Sequence, residues 1–362
     1  MITNQILQNT IDGIKGITRT DICVTNAEGN ILATTMNDSV SYNEIVLDFV
    51  SSPAESQEVM GFYFFKIYDT SQLEMVLLVK GETDDVYMIG KMAAFQLQNL
   101  FVAYKERHDK DNFIKNLLLD NLLLVDIYNR AKKLRIEINV RRVVFIIETS
   151  TEKDTSALEI VRSLFVTKTG DFITAVNEKD IILVRELTEH ESGADLEKTA
   201  STIVDMLNTE VMTNVHVSYG TVIHEIKDVS RSYKEAKMAM DVGKIFYCEK
   251  KVMAYSELGI GRLIYQLPMP LCKMFIKEIF GDYSPLDMED EILETVNQFF
   301  ENNMNVSETS RHLYIHRNTL VYRMDKLQKS TGLDIRLFED AIALKIALMV
   351  VKYMDYLEKI NY

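Results

Sequence analysis

Residues that cross-link small domains or punctuate long elements are scarce in this chain. Its three cysteines, Cys23, Cys248 and Cys272, are odd in number and far apart. They supply no disulfide framework and no zinc-ligand spacing, and they fit buried thiols in a reducing cytoplasm. Only four prolines occur, and no low-complexity tract calls for disorder. No apolar run approaches the roughly 20 residues that span a bilayer: LLLDNLLLV is interrupted by Asp120 and Asn121, and AIALKIALMVV by Lys345. The opening MITNQILQNT has no basic stretch followed by an apolar core, so no secretory signal is expected.

Catalytic and metal patterns are missing as well. There are six histidines, and His312 and His316 are four apart. A turn is expected between those two, which keeps them off the shared helix face that zinc ligands need. No Walker loop, GxGxxG or GxSxG occurs, and no carboxylate pair is spaced as more than surface charge. No catalytic residue, metal or cofactor is therefore expected, and the chain does not read as an enzyme.

What is present is a globular composition, with 47% hydrophobic and 26% charged residues over 362 positions. That length predicts two or three domains, because single cores stop growing at roughly 250 to 300 residues. The formal net charge is -14. Against it stands a basic island, NVSETSRHLYIHRNTLVYRMDKLQKSTG, residues 305 to 332. Here Arg311, Arg317, Arg323, Lys326 and Lys329 face only Glu308 and Asp325.

This island reads as a helix, a turn at Tyr314, Ile315 and His316, and a second helix. Asn305 is a cap with Glu308 three positions on, close to a capping box, and Val306 and Leu313 anchor the first helix. At 100° per residue, Thr319, Tyr322, Arg323, Lys326 and Ser330 share one face of the second helix. Leu320, Met324 and Leu327 share the other. Arg317, Asn318 and Thr319 open that helix, where amides and short polar groups suit phosphate oxygens. The candidate DNA contacts are Ser307, His316, Arg317, Asn318, Thr319, Tyr322, Arg323 and Lys326, with Ser307 and Lys326 on phosphates. The same periodicity also describes a solvated helix pair in an ordinary helical domain.

Upstream, residues 1 to 104 read helix, hairpin, helix, two strands, helix. The hairpin turns at Asn26, Ala27, Glu28, Gly29 and Asn30, and GFYFFKIY and EMVLLVKG are joined through Asp69, Thr70, Ser71 and Gln72. A helix from near Asp84 runs on through a charged stretch into residues 105 to 124, a connecting helix that is a candidate signal carrier. Its Met92, Phe95, Leu100 and Tyr104 are roughly heptad, which leaves a dimeric coiled coil and a plain connector both open. Residues 125 to 258 alternate helix and strand, with a hairpin at Asn177, Glu178, Lys179 and Asp180. Residues 259 to 285 read as linker. Residues 286 to 362 are helical, with Ile292, Val296, Phe299 and Phe300 on one stripe and a last helix apolar around much of its circumference. That last helix is either deeply buried or half of a dimer interface.

The run ENNMNVSETSRHLYIHRNTLVYRMDKLQKSTGLDIRLFEDAIALKIAL closely resembles the C-terminal helix-turn-helix of the PucR and CdaR (sugar diacid) family of bacterial transcriptional regulators. Tyr128 to Leu258 is similar to that family's degenerate GGDEF-type domain, best in SYGTVIHEIKDVSRSYKEAKMAMDVGK. The resemblance implies an α+β multidomain chain: an N-terminal PAS-like α/β sensor, a degenerate GGDEF-like α/β domain and a C-terminal all-α helix-turn-helix domain. It implies a homodimer on double-stranded operator DNA, answering a small-molecule effector such as a sugar diacid.

Where a cyclase presents Gly-Gly-Asp-Glu-Phe, this chain has Asn177 to Asp180, without the glycines that admit phosphate. Where the diacid-recognition domain often shows His-Glu-Gly-Ala, it has Tyr42, Asn43, Glu44 and Ile45. Candidate ligand residues are Arg19, Tyr42 and Asn43. Six basic against thirteen acidic residues in positions 1 to 105 make an anionic ligand harder to hold. A nucleotide-handling or cyclic-dinucleotide-binding middle domain, and a partner-binding protein that docks through its C-terminal helices, are the alternatives.

Overall fold

In the first strands, apolar residues occupy both sides of the ribbon, so the sheet they form is covered on both faces. The computed structural model describes residues 2–37, 42–69, 72–81, 85–149, 155–165, 170–177, 179–211, 214–281, 283 and 288–360. Thr70, Ser71, Asp84 and Glu178, named above at turns or a helix start, lie outside them. The chain divides into two compact units, Met1–Ile114 and Lys115–Tyr362.

The first unit runs α1 (Asn4–Thr18), β1 (Asp21–Asn26), β2 (Ile31–Thr34), α2 (Asn43–Ser51), β3 (Ser56–Val59), β4 (Phe62–Asp69), β5 (Gln72–Lys80) and α3 (Val86–Leu118), whose last turn passes into the second unit. Its sheet has the order β2-β1-β5-β4-β3, every pairing antiparallel. The β1–β2 hairpin closes where Asn26 Oδ1 accepts from the amides of Glu28 and Asn30, and Gly29 supplies φ +86°.

Ile22, Val24, Phe65, Ile67, Leu77 and Val79 point to the face covered by Leu7 and Ile11 of α1 and by Ala93 and Leu97 of α3. Cys23, Phe64, Val76 and Leu78 point to the other, under Val46 and Phe49 of α2. At Gly90 a Cβ would come 2.3 Å from the Phe65 ring, so helix and sheet meet more closely than a side chain allows. β3 was not expected. Its sequence SQEV buries no residue and is held by backbone pairing to β4 at the sheet edge.

The second unit begins with α4 (Leu124–Lys133), β6 (Arg142–Thr149), α5 (Thr155–Phe165), β7 (Phe172–Ala175), β8 (Asp180–Glu186), α6 (Gly193–Val211), β9 (Val215–Tyr219), α7 (Val229–Phe246) and β10 (Val252–Ala254). The strand order is β10-β9-β6-β8-β7, antiparallel except for β9–β10. Val143, Phe145 and Ile147 of β6 pack with Ala157 and Val161 of α5 and Leu196, Ala200 and Ile203 of α6.

On the opposite face α7 lies close against the sheet. Ser232 Oγ accepts from Val144 N at 3.1 Å and donates to Thr221 O at 2.9 Å, and Ser218 Oγ donates to Ala236 O. A Cβ at Gly220 would meet the Ser232 carbonyl at 2.1 Å.

Five helices follow: α8 (Gly261–Ile264), α9 (Met269–Phe280), α10 (Asp290–Glu301), α11 (Val306–His312) and α12 (Arg317–Thr331). α13 (Phe338–Ile360) ends the chain. Two expectations are corrected here. Residues 105 to 124 are not one connecting helix. α3 ends at Leu118, where Asp120 turns to φ +61° and Asn121 N donates back to Asn116 O. Residues 259 to 285 are not a linker, because α9 packs its apolar side into the helical core. Cys272, Phe275, Ile276, Ile279 and Phe280 repeat at the helical spacing, and Pro270 sits in the first turn.

α13 is buried along Ala341, Leu344, Ala347, Val350 and Tyr353. It is tied to α7 through Asp241, which accepts from Tyr265 at 2.7 Å and Tyr356 at 3.4 Å. Because Ser232→Ala strands the buried Val144 amide, it is expected to lower unfolding free energy by about 1 to 3 kcal/mol. Urea unfolding of the full chain checks this.

Candidate nucleic-acid interface

Asn305 caps α11, its Oδ1 accepting from the amides of Ser307 (3.0 Å) and Glu308 (3.2 Å). The box closes on one side only, since Glu308 pairs with Arg311 at 3.6 Å. α11 then ends in a Schellman turn: Ile315 N donates to Ser310 O and Tyr314 N to Arg311 O. The left-handed position of that turn, usually glycine, is Tyr314, with φ +54° and its side chain 96% exposed. His316 is the N-cap of α12, its Nδ1 accepting from Asn318 N at 3.2 Å. Gly332 closes α12 at φ +78°.

Leu320, Met324 and Leu327 are buried against Ile292, Val296, Phe299, Ile335 and Leu344. Arg317, Asn318, Thr319 and Tyr322 are exposed, as are Ser307 and His316; Asn318, Thr319 and Tyr322 point away from the buried row, whereas Arg317 lies in line with Leu320 in the first turn of the helix. Of the face that the angular count sets apart, Thr319, Tyr322 and Ser330 are exposed, whereas Arg323 and Lys326 are only partly so.

Two basic residues of the free face are engaged elsewhere. The Arg323 side chain is only 16% exposed. Its guanidinium donates to Glu291 Oε2 at 2.8 Å and to Thr295 Oγ1 at 3.2 Å. Lys326 Nζ lies 2.6 Å from both carboxylate oxygens of Glu289, which hold its ammonium above the usual lysine range. Arg323 and Lys326 thus bolt the start of α10 to the middle of α12. The structure groups Arg317, Asn318, Thr319 and Tyr322 at the free end of the helix and sets these two apart from them. Tyr314 was not among the sequence candidates, since only its backbone geometry singles it out.

The GGDEF-like hairpin closes through Asn177, whose Oδ1 accepts from Lys179 N and Asp180 N and whose Nδ2 donates to Asp180 Oδ2 at 2.6 Å. Asp180, Glu148 and His216 stand side by side on β8, β6 and β9. Lys244 of α7 is paired with Glu148. Burial pushes the Asp180 carboxyl up, against the hydrogen bond from Asn177. A lysine of the chain thus neutralises one of the acids beside the 177–180 hairpin. Among the described residues no three His, Cys, Asp or Glu side chains form a metal-type group, and no helix is long and apolar enough to cross a membrane.

The three ligand candidates do not converge. Arg19 is an exposed left-handed cap at the end of α1. Tyr42 is buried on the other face of the sheet, edge-on to Phe62, and Asn43 opens α2 in solvent.

Comparison with known proteins adds to this geometry. Residues 292–350 match the PucR C-terminal helix-turn-helix domain, and residues 121–242 match a GGDEF-like domain. The chain is 23% identical over 291 residues to the carbohydrate diacid regulator of Escherichia coli, covering 76% of each. It is 25% identical over 179 residues to the purine catabolism regulatory protein of Bacillus subtilis, covering 48% of this chain and 33% of that one. Over 337 residues it is 21% identical to the proline-responsive transcriptional activator PutR of Bacillus subtilis, covering 87% and 77%. With a PucR C-terminal helix-turn-helix domain and a GGDEF-like domain on one chain, and with these regulators among its relatives, this protein belongs to the PucR/CdaR family of helix-turn-helix transcriptional regulators.

Proposed function

We propose that this protein is a cytoplasmic, homodimeric regulator that reads double-stranded operator DNA with the first turns of α12 and answers a small-molecule effector. The observation that carries the reading is the exposed polar group Arg317, Asn318, Thr319 and Tyr322 in the first two turns of a helix anchored by the buried row Leu320, Met324 and Leu327. A recognition helix needs this pairing of a fixed underside with a free polar end. The names of the relatives, a carbohydrate diacid regulator and a proline-responsive activator among them, support an effector of metabolite size. A sugar diacid is one such molecule. The sheet of residues 1–104, covered by helices on both faces, is the proposed receiver. The Lys244–Glu148 pair supports a middle domain without cyclase activity.

Within the interface the roles divide. Arg317, Asn318, Thr319 and Tyr322 are proposed to meet bases or backbone, and Ser307 and His316 to meet phosphates. Arg323 and Lys326 are proposed to position α12 through Glu291 and Glu289. Tyr314 holds a backbone conformation that disfavours a tyrosine and presents its ring to solvent, which supports a contact role.

Three outcomes are expected once genomic selection has supplied an operator. Arg317→Ala lowers binding to that duplex by about 1 to 3 kcal/mol in fluorescence anisotropy and leaves random duplex less affected, as expected of a base contact. An equal loss on both makes Arg317 a phosphate ligand. Arg323→Ala and Glu291→Gln both weaken binding to specific and random duplexes alike, because either change releases α10 from α12. If Glu291→Gln leaves affinity unchanged while Arg323→Ala abolishes preference, Arg323 is itself a reader. Tyr314→Gly stabilises the full chain by about 1 kcal/mol in thermal unfolding, by relieving the left-handed turn, yet weakens DNA binding. Undiminished binding removes Tyr314 from the interface.

A further inference from the structure

α3 lies on its sheet through one side only. Val86, Gly90, Ala93 and Leu97 are buried, and Ala94, Leu100 and Phe101 pack partly against the same core. Its outer side carries Met88 (59% exposed), Met92 (70%), Phe95 (68%) and Val102 (53%), with exposed Asn99 between the last two. The spacings from Met88 through Met92, Phe95, Asn99 and Val102 are four, three, four and three. That is the seam of a coiled coil, with Met88, Phe95 and Val102 at d and Met92 and Asn99 at a. The sheet-facing residues then fall at b, c and f, away from the seam.

We infer that this outer face of α3 is the dimer interface of the protein, a parallel, in-register coiled coil with a second copy of the same chain. Three features identify the occupant as a copy. A 3,4 seam is self-complementary, since each d or a knob finds its hole on an identical helix. A lone polar Asn99 at a is the device by which two-stranded coils fix register, the amide meeting its own symmetry mate at some loss of stability. The four apolar side chains leave on the order of 500 Å² on each copy, so two copies cover roughly the 1,000 Å² at which specific interfaces begin.

Two heptads are short for a free coil. Here, however, the helix is already formed by its contacts with the sheet, so association carries no helix-nucleation cost. The direction of the strands rests on the proposed DNA reading: parallel strands let both chains leave the seam at the same end, toward one duplex.

The test uses the full chain. In sedimentation equilibrium the wild type runs at twice the chain mass, and Met92→Glu/Phe95→Glu runs as a monomer with unchanged far-ultraviolet circular dichroism. Met60→Asp removes a still more exposed methionine of the same unit and stays dimeric. Val102→Cys in a Cys248→Ser background cross-links to itself on mild oxidation. Asn99→Leu tightens self-association and broadens it beyond dimers. A monomeric wild type, or a seam variant that remains dimeric, overturns the proposal. A dimer without Val102 self-cross-linking overturns the parallel register. Loss of DNA preference in a chain that is still dimeric through α3 counts against the DNA reading alone.

Discussion

Leu320, Met324 and Leu327 fix α12 against Ile292, Val296, Phe299 and Leu344, and what this protein presents to DNA is what that burial leaves over. Each such side chain contributes about 1.5 to 3 kcal/mol through removal from water. α12 itself is rich in polar residues and would be marginal alone in water. Its apolar stripe therefore sets both its existence and its rotation. A helix turned by one residue would put Arg323 or Asp325 into the core.

The second constraint is electrostatic. The helix-turn-helix segment is basic in an acidic chain, but part of its charge is used inside the domain. Glu289 and Glu291 begin α10 and draw Lys326 and Arg323 away from the free end of α12. Each pair has an exposed carboxylate, 72% for Glu291 and 59% for Glu289, so its contribution to stability is modest; its main effect is geometric. In the proposed reading the charge that meets DNA is that of Arg317 and the amides of the first turn, where the helix dipole also favours phosphate. The GGDEF-like domain shows a related substitution, with Lys244 supplying positive charge beside Glu148.

Much of this was readable from residue order. Strong periodicity fixed α10 and α12, Asn-rich turns fixed the hairpins at 26–30 and 177–180, and the Asn305 cap fixed the start of α11. The ends of helices were harder to see, for a specific reason. α3, α4 and α11 stop at Asp120, Arg135 and Tyr314 in the left-handed conformation, so the glycine that usually marks a stop is missing. β3 escaped because an exposed edge strand needs no apolar pattern. In α9 the helical spacing is present at Cys272, Phe275, Ile276 and Ile279 but short, between Pro268 and Gly281. The roles of Arg323 and Lys326 depend on Glu291 and Glu289, about 35 residues upstream, a pairing that only the packing of α10 on α12 creates.

The central claim is that α12 enters a major groove from each of two copies of the chain. Hydroxyl-radical footprinting of the full-length protein on a selected operator tests it most directly. Two protected stretches on one face of the duplex, centred about one helical turn or a whole multiple of it apart, are expected. Uniform protection along the duplex, or none at saturating protein, contradicts it.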